Sequence, residues 1–307
     1  MIVMQKVKFI WLNGSFVPWE KAKVHFLTHA LHYGSAVFEG IRCYDTGKAP
    51  AVFRLKDHIK RLFYSADVFG MQIPYTEAEV CSAVLQTIKA NKLRECYIRP
   101  IAFYGYGQMG LNPIGAKVDF GIAAWPWGAY LGKEGLEKGI RMRISSWVRP
   151  PTNVMPTNAK VAGNYVNSIL AKVEAIKTGF EEAILLDIKG NVAECSGENL
   201  FIVKNGVLIT PPTDNTLRGI TRDSIIQIAK GFGIKVQEKL FKKAELYAAD
   251  EAFLTGTAAE VTPIREVDDK QIGEGKPGPV SKKLQAKFYE VIRGKDKKYL
   301  HWLDFVK

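Results

Sequence analysis

The sequence contains no long hydrophobic run. Nowhere does it reach the ~18–20 consecutive apolar residues that a membrane-spanning helix needs. Its first residues, MIVMQKVKF, lack the uninterrupted apolar core that precedes the cleavage site of a secretory signal peptide. From these absences we expect a cytoplasmic protein with no membrane partner.

Cysteine is also scarce. The four cysteines, Cys43, Cys81, Cys96 and Cys195, form neither a C-x-x-C pair nor a dense framework. This pattern argues against a disulfide scaffold and against a cysteine-based metal site, and it favours free thiols in a reducing compartment. We predict no bound metal.

The excess of positive charge is not concentrated anywhere in the sequence. The net charge is +12, but no five-residue window is purely basic, and lysine and arginine are spread along the chain. A nucleic-acid-binding surface concentrates such residues and often interleaves aromatic ones. A basic nucleic-acid-binding protein is therefore only a remote alternative. The dispersed charge fits the attraction of anionic small molecules better, and nucleic acid is not an expected partner.

Length and composition indicate a globular protein of two domains, with 307 residues, 47% of them hydrophobic and 24% charged. Hydrophobic spacing predicts helices at 57–69, 76–90, 163–178, 221–231 and 242–248. It predicts a hairpin at 8–19 and strands at 52–55, 95–104, 117–125, 140–148, 183–188, 191–195, 199–204, 207–210, 234–240 and 251–255. Antiparallel hairpins with interspersed helices indicate an α+β fold rather than a regular βαβ array.

Local signals mark several boundaries. Asn13-Gly14 is a strong hairpin turn signal. Asp57 is a candidate N-cap for the first predicted helix, and Thr76 with Glu79 forms a capping-box pattern for the second. The segment WPWGAYLGKEG has no clear period, and we therefore predict an interdomain loop at residues 127–139.

Two glycine-containing motifs are rejected because their structural context is missing. Residues 105–110 spell G-x-G-x-x-G after a strand, but Asn112-Pro113 follows where a dinucleotide-binding helix would have to begin. Residues 195–197 (Cys-Ser-Gly) lack the first glycine and the helix of a nucleophile elbow, so a serine hydrolase is not expected.

Three histidines, His25, His29 and His32, have spacings that would place them on one face of a helix. Such spacing can bind a metal. However, no H-E-x-x-H pattern occurs and no acidic residue lies among the three. Hydrogen-bonded loop or core histidines are the favoured interpretation.

Lys160 and two glutamates are candidates for chemistry. Lys160 is flanked by apolar residues just before a predicted helix. It is either a solvated lysine or one used for Schiff-base chemistry, which needs a deprotonated amine in a tight site. Tyr165 follows five residues later, as a packed aromatic or as a hydroxyl that reaches the same site. Glu194 and Glu198 bracket a turn between two strands, either facing solvent or pairing with a protonated cofactor nitrogen.

Two segments could bind a phosphate. Residues 217–222 lead directly into a predicted helix, whose free N–H groups and dipole favour an anion. Residues 255–258 end a strand with two hydroxyls around a glycine. Arg61 misses the apolar face of its helix and points either to solvent or to a charged ligand. Arg99 lies within an apolar strand and needs a partner, for which a substrate carboxylate is one candidate.

Together these segments resemble the branched-chain aminotransferases of the fold-type-IV pyridoxal-phosphate (PLP) family, over residues 9–280. The motifs that carry the resemblance are HALHYGSAVFEGIR (29–42), YIRP (97–100), WGAYLG (127–132), AKVAGNY (159–165), ECSGENLF (194–201), RGITRD (218–223) and LTGTAAEVTPI (254–264). The resemblance implies a smaller N-terminal α+β domain at 1–126 and a larger C-terminal PLP-binding α+β domain at 140–307.

The resemblance also implies roles for individual residues. Lys160 would be the catalytic residue, forming a Schiff base with PLP and carrying the Cα proton. Glu194 would pair with the pyridine nitrogen and Tyr165 with the phenolic oxygen. The full set implied for cofactor binding is Lys160, Arg61, Tyr165, Glu194, Leu217, Gly219, Ile220, Thr221, Gly256 and Thr257. The set implied for substrate binding is Tyr33, Phe38, Gly40, Tyr97, Arg99, Trp127, Tyr130, Thr257 and Ala258.

The implied reaction is the transamination of leucine, isoleucine and valine with 2-oxoglutarate, in a ping-pong sequence. Amino acids and 2-oxo acids would be the small-molecule partners, and Arg99 or a tyrosine hydroxyl would bind the γ-carboxylate. In the family a second subunit contributes to the active site, so a homodimer or a trimer of dimers is implied. The nearest alternatives share the fold: D-amino-acid transaminase, R-selective amine transaminase and aminodeoxychorismate lyase. A pseudo-enzyme is disfavoured by the intact Lys160 and Glu194.

Overall fold

A computed structural model describes residues 4–128 and 130–307. Residues 1–3 of the predicted N-terminal domain, and Ala129 of the predicted loop and of the WGAYLG motif, lie outside the described residues. The chain divides into two units. The first comprises Met1–Gly128, Ala159–Gly163 and Val291–Lys307, and the second comprises Ala129–Asn158 and Asn164–Glu290. The division into domains at 1–126 and 140–307, joined by a loop at 127–139, stays a prediction.

The elements are numbered in chain order. The strands are β1 (Phe9–Leu12), β2 (Ser15–Pro18), β3 (Ala36–Phe38), β4 (Ile41–Asp45), β5 (Pro50–Phe53), β6 (Cys96–Tyr104), β7 (Val118–Trp125), β8 (Ile140–Val148), β9 (Glu182–Leu186), β10 (Val192–Cys195), β11 (Asn199–Lys204), β12 (Val207–Thr210), β13 (Val236–Glu238), β14 (Glu251–Gly256), β15 (Glu260–Val267), β16 (Lys270–Gln271) and β17 (Leu303–Phe305). The helices are α1 (His29–Tyr33), α2 (Leu55–Val68), α3 (Glu77–Ala90), α4 (Gly132–Lys138), α5 (Tyr165–Lys177), α6 (Ile220–Gly231), α7 (Lys243–Tyr247) and α8 (Pro279–Ile292).

The first unit is built on an antiparallel sheet. Within the described residues this sheet has eight strands in the order β17-β5-β4-β6-β7-β1-β2, with β3 also paired to β6. Helices α2 and α3 bury their apolar faces in its core, where Ile59, Leu62, Val84 and Ile98 are fully buried. Because side chains alternate along a strand, Tyr97 and Arg99 of β6 project from the face opposite to Ile98.

The second unit contains a mixed sheet. In the part of the chain that the structure describes, it has nine strands in the order β10-β9-β8-β15-β14-β11-β12-β13, with β16 paired to β15. Strand β8 runs parallel to β9 and to β15, and β12 runs parallel to β13. The predicted antiparallel hairpins therefore describe only part of this sheet. The reason is that α5 and α6 each connect two of its strands, and a helical crossover returns the chain in the same direction.

Several sequence predictions are confirmed. The α+β fold class holds, Asn13-Gly14 joins β1 to β2, and Thr76 and Glu79 form a capping box at the start of α3. Asp57 is not an N-cap. Helix α2 begins earlier, after Arg54, which has a φ of 50° and donates from Nε to Asp57 Oδ2 at 2.6 Å.

Other elements differ from the predictions. The predicted loop at 127–139 contains α4, where Lys138 Nζ and Glu134 Oε1 lie 3.0 Å apart, one helical turn from each other. Besides α4, the helices and strands that the sequence did not predict are α1, β3, β4, β15, β16, α8 and β17. Strand β15 contains Pro263, which lacks the N–H that a strand normally donates. None of the helices in the described ranges is both long and apolar enough to cross a membrane.

Candidate active site

Lys160 is held by the backbone of the first unit. The segment Ala159–Gly163 belongs to this unit, although the residues on either side of it belong to the second. The N–H of Phe38 donates to the Lys160 carbonyl at 3.1 Å, and Val161 forms an isolated antiparallel bridge with Val37. The Lys160 Nζ lies 5.1 Å from the centroid of the Phe38 ring. Lys160 is half-buried and precedes α5, which begins only at Tyr165 in the second unit.

Arg61 has a partner that the sequence did not suggest. Its Nε donates to Glu39 Oε1 at 2.6 Å and its Nη2 to Glu39 Oε2 at 2.8 Å. The Nδ1 of His58 lies 2.8 Å from the same Oε2, and Glu39 and His58 are buried. The sequence predicted that Arg61 points either to solvent or to a charged ligand. Its contact with Glu39 is neither of these. The role of Arg61 toward a phosphate stays a prediction.

The charges in this group are unequal. Burial acts to raise the pKa of Glu39, but Arg61 and His58 outweigh it and hold that pKa well below its ordinary value. Burial lowers the pKa of His58 despite the adjacent carboxylate. The group therefore contains one anion, one cation and a neutral imidazole near neutral pH. A buried ion pair of this kind needs a second hydrogen-bonding partner for its carboxylate, and His58 supplies it.

Aromatic rings surround Arg99 on the face of β6 that is opposite to Ile98. The Arg99 Nη2 donates to Tyr97 Oη at 3.1 Å, and its guanidinium carbon lies 4.5 Å from the Phe38 ring centroid. The Tyr97 ring stacks on Trp127 at 4.8 Å and lies 5.3 Å from Trp125. The structure therefore brings together the predicted residues Phe38, Tyr97, Arg99 and Trp127. It adds Trp125, which the sequence interpretation missed although it directly opposes Tyr97 on the neighbouring strand.

Two buried donors in this cluster point to a ligand. Arg99 Nε and Trp125 Nε1 have no hydrogen-bond partner among the described residues. A buried donor left unsatisfied is costly, and a guanidinium binds carboxylates especially well. Gly40 is required nearby because a Cβ at that position would lie only 2.0 Å from Tyr97 Oη. The arrangement suits an anion held beside apolar rings.

Glu194 is the fixed carboxylate of the second unit. Its Oε1 lies 2.7 Å from Arg149 Nε, and both side chains are almost fully buried. The N–H of Leu217 donates to Glu194 Oε2 at 3.2 Å. Asn199 Nδ2 donates to the Leu217 carbonyl at 3.0 Å and lies 3.4 Å from Glu194 Oε2. The solvent-facing alternative was wrong for Glu194, and the sequence interpretation missed both Arg149 and Asn199.

Both predicted phosphate segments lie in the second unit. Gly219 precedes α6, which begins at Ile220 and runs through Thr221, and the described residues provide no side-chain cap there. Helical N–H groups without a cap favour an anion. The other segment begins with the last two residues of β14, of which Thr255 is the strand partner of Asn199. Thr255 Oγ1 is buried with no hydrogen-bond partner among the described residues.

The remaining predicted residues are divided between the two units. Gly256 ends β14, and half-buried Thr257 and Ala258 follow it in a turn. Tyr130 lies in the second unit, with its ring centroid 5.6 Å from Lys172 Nζ. Tyr33 lies in the first unit on α1, 42% exposed, with its ring centroid 4.6 Å from that of His29.

The rejected motifs have other roles. His29 Nδ1 lies 2.6 Å from Ser35 Oγ, and its Nε2 lies 2.8 Å from the Gly110 carbonyl. The glycine motif at 105–110 is followed by loop up to β7. Ser196 Oγ donates to Glu182 Oε1 at 2.5 Å. The described residues contain no group of three metal-ligating side chains.

Glu198 is the second buried glutamate of the β10–β11 turn, so the solvent-facing alternative was wrong here too. Its Oε2 accepts from the Gly197 N–H at 3.2 Å. Burial, followed by the neighbouring Glu182 carboxylate, raises the pKa of Glu198 to about 8, against the opposing effect of Lys172. Lys172 Nζ itself binds Glu182 Oε2 at 2.6 Å. We therefore expect the protonated form of Glu198 to predominate at neutral pH.

This protonation predicts a pH-dependent stability. Because the pKa of Glu198 rises from 4.5 to about 8 on folding, the folded state binds the proton more tightly. The stability from this group is thus complete below the ordinary pKa and is lost as pH rises toward about 8. Glu198→Gln cannot lose a proton. We compare the free energy of unfolding of this variant with that of the wild type. The difference should shift in favour of the variant by on the order of a few kcal/mol as the pH rises from about 5 to about 9.

Urea unfolding at a series of pH values measures this difference. The control is Glu137→Gln, which removes an exposed carboxyl from the same unit. For this control, the difference from the wild type should stay constant with pH. A constant difference for Glu198→Gln as well would contradict the assignment of a protonated Glu198.

Known proteins match the chain along nearly its whole length. The branched-chain-amino-acid aminotransferase of Escherichia coli strain K12 is 50% identical over 304 residues, which cover 98% of each chain. Among solved structures, the T.th. branched-chain amino acid aminotransferase with pyridoxamine 5'-phosphate has 51% identity and a TM-score of 0.96, covering 98% of this chain and 99% of that one. The same protein complexed with N-(5'-phosphopyridoxyl)-L-glutamate has 50% identity and a TM-score of 0.95 at the same coverage.

The family is equally clear from the chain itself. A model of the class IV amino-transferases matches residues 36–267. This range begins at β3, beside Phe38, and ends with β15, so it contains Lys160, Glu194 and both phosphate segments. With that match, the chain belongs to the class IV aminotransferases.

Proposed function

We propose that this protein transfers the amino group of branched-chain L-amino acids to 2-oxoglutarate, with PLP covalently bound to Lys160. The observation that carries the proposal is the environment of Phe38 in the first unit. Lys160 Nζ lies 5.1 Å and the Arg99 guanidinium carbon 4.5 Å from the centroid of its ring. A reactive amine and a carboxylate-binding group thus share one apolar surface, which suits a pocket that takes an apolar side chain in one half-reaction and the γ-carboxylate of 2-oxoglutarate in the other.

The enzyme class follows from the family. The protein is an aminotransferase, and the predictions of aminotransferase activity and of PLP as cofactor are confirmed by the family match and the related structures. The relatives that match its full length are branched-chain-amino-acid aminotransferases, which supports that specificity over the D-amino-acid and amine transaminase alternatives.

The second unit offers groups that fit the cofactor. PLP, when bound, supplies a protonated ring that withdraws electrons from the bonds at the substrate Cα. Glu194 suits the pyridine nitrogen because Arg149 and the Leu217 N–H fix its carboxylate in place. The uncapped start of α6 and the unsatisfied Thr255 hydroxyl suit a phosphate. Gly219, Ile220, Thr221, Gly256 and Thr257 are proposed to bind that phosphate, together with Arg61.

Lys160 is proposed to move a proton. Lys160 would hold PLP when no substrate is bound, and its amine would take a proton from the substrate Cα in the first half-reaction and return a proton to the product Cα in the second. Tyr165 is proposed to donate to the phenolic oxygen of PLP. Lys160 is thus proposed to transfer protons, and Tyr165 to orient the PLP ring. The turn at Gly256–Ala258 is proposed to bind the substrate α-carboxylate through its N–H groups.

Substrate selection is proposed to rest on the aromatic cluster. Phe38, Tyr97 and Trp127 present apolar rings, with Tyr33 and Tyr130 as further walls. Differences of one methylene in such a pocket are worth only about 1–3 kcal/mol, so leucine, isoleucine and valine should all be accepted. The γ-carboxylate of 2-oxoglutarate needs a cation in the same pocket, and Arg99 has a buried Nε without a partner among the described residues.

Removing Lys160 tests the central claim. We expect Lys160→Ala to transaminate L-leucine at least ~10²–10⁴-fold more slowly, because it loses its proton-transfer group. In the wild type, L-leucine should change the visible absorbance of bound PLP, and borohydride should leave the cofactor attached to the Lys160 peptide. Lys177→Ala, an exposed lysine of α5, is the control and should behave as the wild type. A wild type that responds to D-alanine but not to L-leucine would contradict the branched-chain specificity.

Arg99 should matter for only one half of the reaction. We expect Arg99→Leu to lower kcat/KM for 2-oxoglutarate by about 10–100-fold, since a hydrogen bond to a charged group contributes ~1.5–3 kcal/mol. The half-reaction with L-leucine, measured by single-turnover absorbance, should change by less than about threefold because leucine has no second carboxylate. Unchanged turnover of 2-oxoglutarate would show that another group binds the γ-carboxylate.

We propose that the protein is a homodimer formed through an apolar patch of the first unit, with a trimer of dimers as a further proposed assembly. The patch consists of residues 24–33 and 106–114. Leu111 is 88% exposed, Ile114 85% and Phe26 77%, an extent of exposed apolar side chains that usually marks an interface. The two segments contact each other through the His25 and Tyr106 rings, whose centroids are 4.0 Å apart.

A second copy of the chain is the occupant that fits this patch. Residues 24–34 and 104–116 contain no lysine, arginine, aspartate or glutamate, although the chain carries a net charge of +12. Two copies can therefore meet here without repulsion between like charges. Tyr33, a predicted substrate wall, lies within the patch, so pairing here fits an active site that uses both subunits.

The double substitution Leu111→Asp with Ile114→Asp should convert the dimer to a monomer in sedimentation velocity, because it places charge at the centre of the proposed interface. Leu240→Asp, at an exposed leucine of the second unit, is the control and should remain dimeric. A wild type that is monomeric, or a double variant that stays dimeric, would contradict the proposed interface.

The cytoplasmic location stays a prediction. The four cysteines are free thiols.

A further inference from the structure

The backbone N–H of Lys160 is bonded to a side chain of α2. It donates to Ser65 Oγ at 2.9 Å. The Lys160 carbonyl accepts from the Phe38 N–H on its other side, so both backbone polar groups of the lysine are bonded within the first unit. Lys160 lies outside any helix or strand. Its position therefore depends on these individual contacts rather than on a regular ladder of hydrogen bonds.

Ser65 is placed to serve two partners at once. It is fully buried, and its hydroxyl donates to the Arg61 carbonyl at 2.9 Å, one turn earlier in α2. A hydroxyl has one hydrogen to donate and lone pairs that accept, so the bond to Arg61 leaves it free to accept from Lys160. The serine thus connects the lysine to the turn of α2 that carries Arg61.

The rest of the segment is fixed by close backbone contacts. The Gly163 N–H donates to the Gly34 carbonyl at 3.1 Å. Gly34 has a φ of +65°, and a Cβ there would lie 2.9 Å from the Gly163 Cα. The Gly163 end of the segment is therefore held by backbone atoms, while Ser65 of α2 supplies a side-chain contact at Lys160.

We propose that Ser65 is a positioning residue for Lys160, fixing the point from which the lysine side chain reaches the reacting atoms. The inference rests on the proposed role of Lys160. A lysine side chain has four rotatable bonds, so its amine can reach many positions. The location of the lysine backbone determines which positions these are. Misplacement of a reacting group by about 1 Å can lower a rate by ~10²-fold.

A purely structural hydroxyl is the competing explanation, and Thr87 is the matched control for it. Thr87 is also fully buried, lies in α3 against the same core, and donates from Oγ1 to the Ala83 carbonyl at 2.7 Å, one turn earlier. Ser65→Ala and Thr87→Ala both remove a buried helical hydroxyl. Only Ser65→Ala removes the acceptor of the Lys160 N–H.

The variants are compared by three measurements. Hydrogen exchange of the Lys160 amide, measured on protein without PLP, reports the contact itself. Borohydride trapping reports attachment of PLP to Lys160, and steady-state kinetics with L-leucine report kcat and KM separately. For Ser65→Ala we expect at least ~10-fold faster exchange and ~10–100-fold lower kcat, with KM within about threefold of the wild type. Thr87→Ala should lower Tm but leave these three readouts unchanged, and Ser65→Thr, which keeps the hydroxyl, should restore them.

Each outcome decides the question. If Ser65→Ala matches Thr87→Ala in exchange and kcat, the hydroxyl is only structural and the inference is overturned. If Ser65→Ala fails to fold, Ser65→Cys replaces it, with a thiol that accepts hydrogen bonds more weakly. It should give intermediate exchange and kcat, and wild-type values would overturn the inference. If wild-type protein shows no PLP trapped on Lys160, the proposed function fails, while amide exchange still reports whether Ser65 holds the lysine.

Discussion

The buried ion pair between Glu39 and Arg61 is the interaction on which the first unit's part of the site depends. Glu39 lies between β3 and β4, and its N–H donates to the Pro100 carbonyl beside Arg99. Its carboxylate holds Arg61 of α2. The preceding residue, Phe38, holds the Lys160 carbonyl. Glu39 thus connects the strand that carries Arg99 to the helix that carries Arg61 and Ser65. Because a buried charge is tolerated only when it is paired, this arrangement cannot relax without a large cost.

The second unit uses the same rule to give two neighbouring glutamates different chemistry. Glu194 faces Arg149 and two amide N–H groups, so its carboxylate has a countercharge and a fixed orientation. Glu198 is four residues away in the sequence, but burial and, after it, the neighbouring Glu182 carboxylate raise its pKa to about 8. The sequence motif treats the two residues alike. The environment distinguishes a paired carboxylate, which suits the proposed partner of a ring nitrogen, from a carboxyl whose raised pKa favours its neutral form.

What the sequence could predict was local. The hairpin at Asn13-Gly14 and the capping box at Thr76 depend on residues within a few positions of each other, and both are confirmed. The family and its cofactor could be predicted from several motifs in order. The partners of the key residues could not: Arg61 and Glu39 are 22 positions apart, and Lys160 and Ser65 are 95 apart. No periodicity relates such pairs, because the fold brings them together. The short β3 is likewise defined by its pairing with β6 rather than by its own three residues.

Phe38 shows how attachment and selectivity are separated within one residue. Its backbone N–H holds Lys160, while its ring lies near both the lysine amine and the Arg99 guanidinium. The backbone contact does not depend on the identity of the side chain. The apolar wall can therefore change in shape, by substitution at Phe38, Tyr97 or Trp127, while the backbone contact at Lys160 is kept. Given the roles proposed for Lys160 and the aromatic cluster, this division explains in physical terms how one fold can accept different amino acids with the same lysine. The contacts that position Lys160 involve backbone atoms and Ser65. The proposed substrate contacts involve the side chains of Phe38, Tyr97 and Trp127.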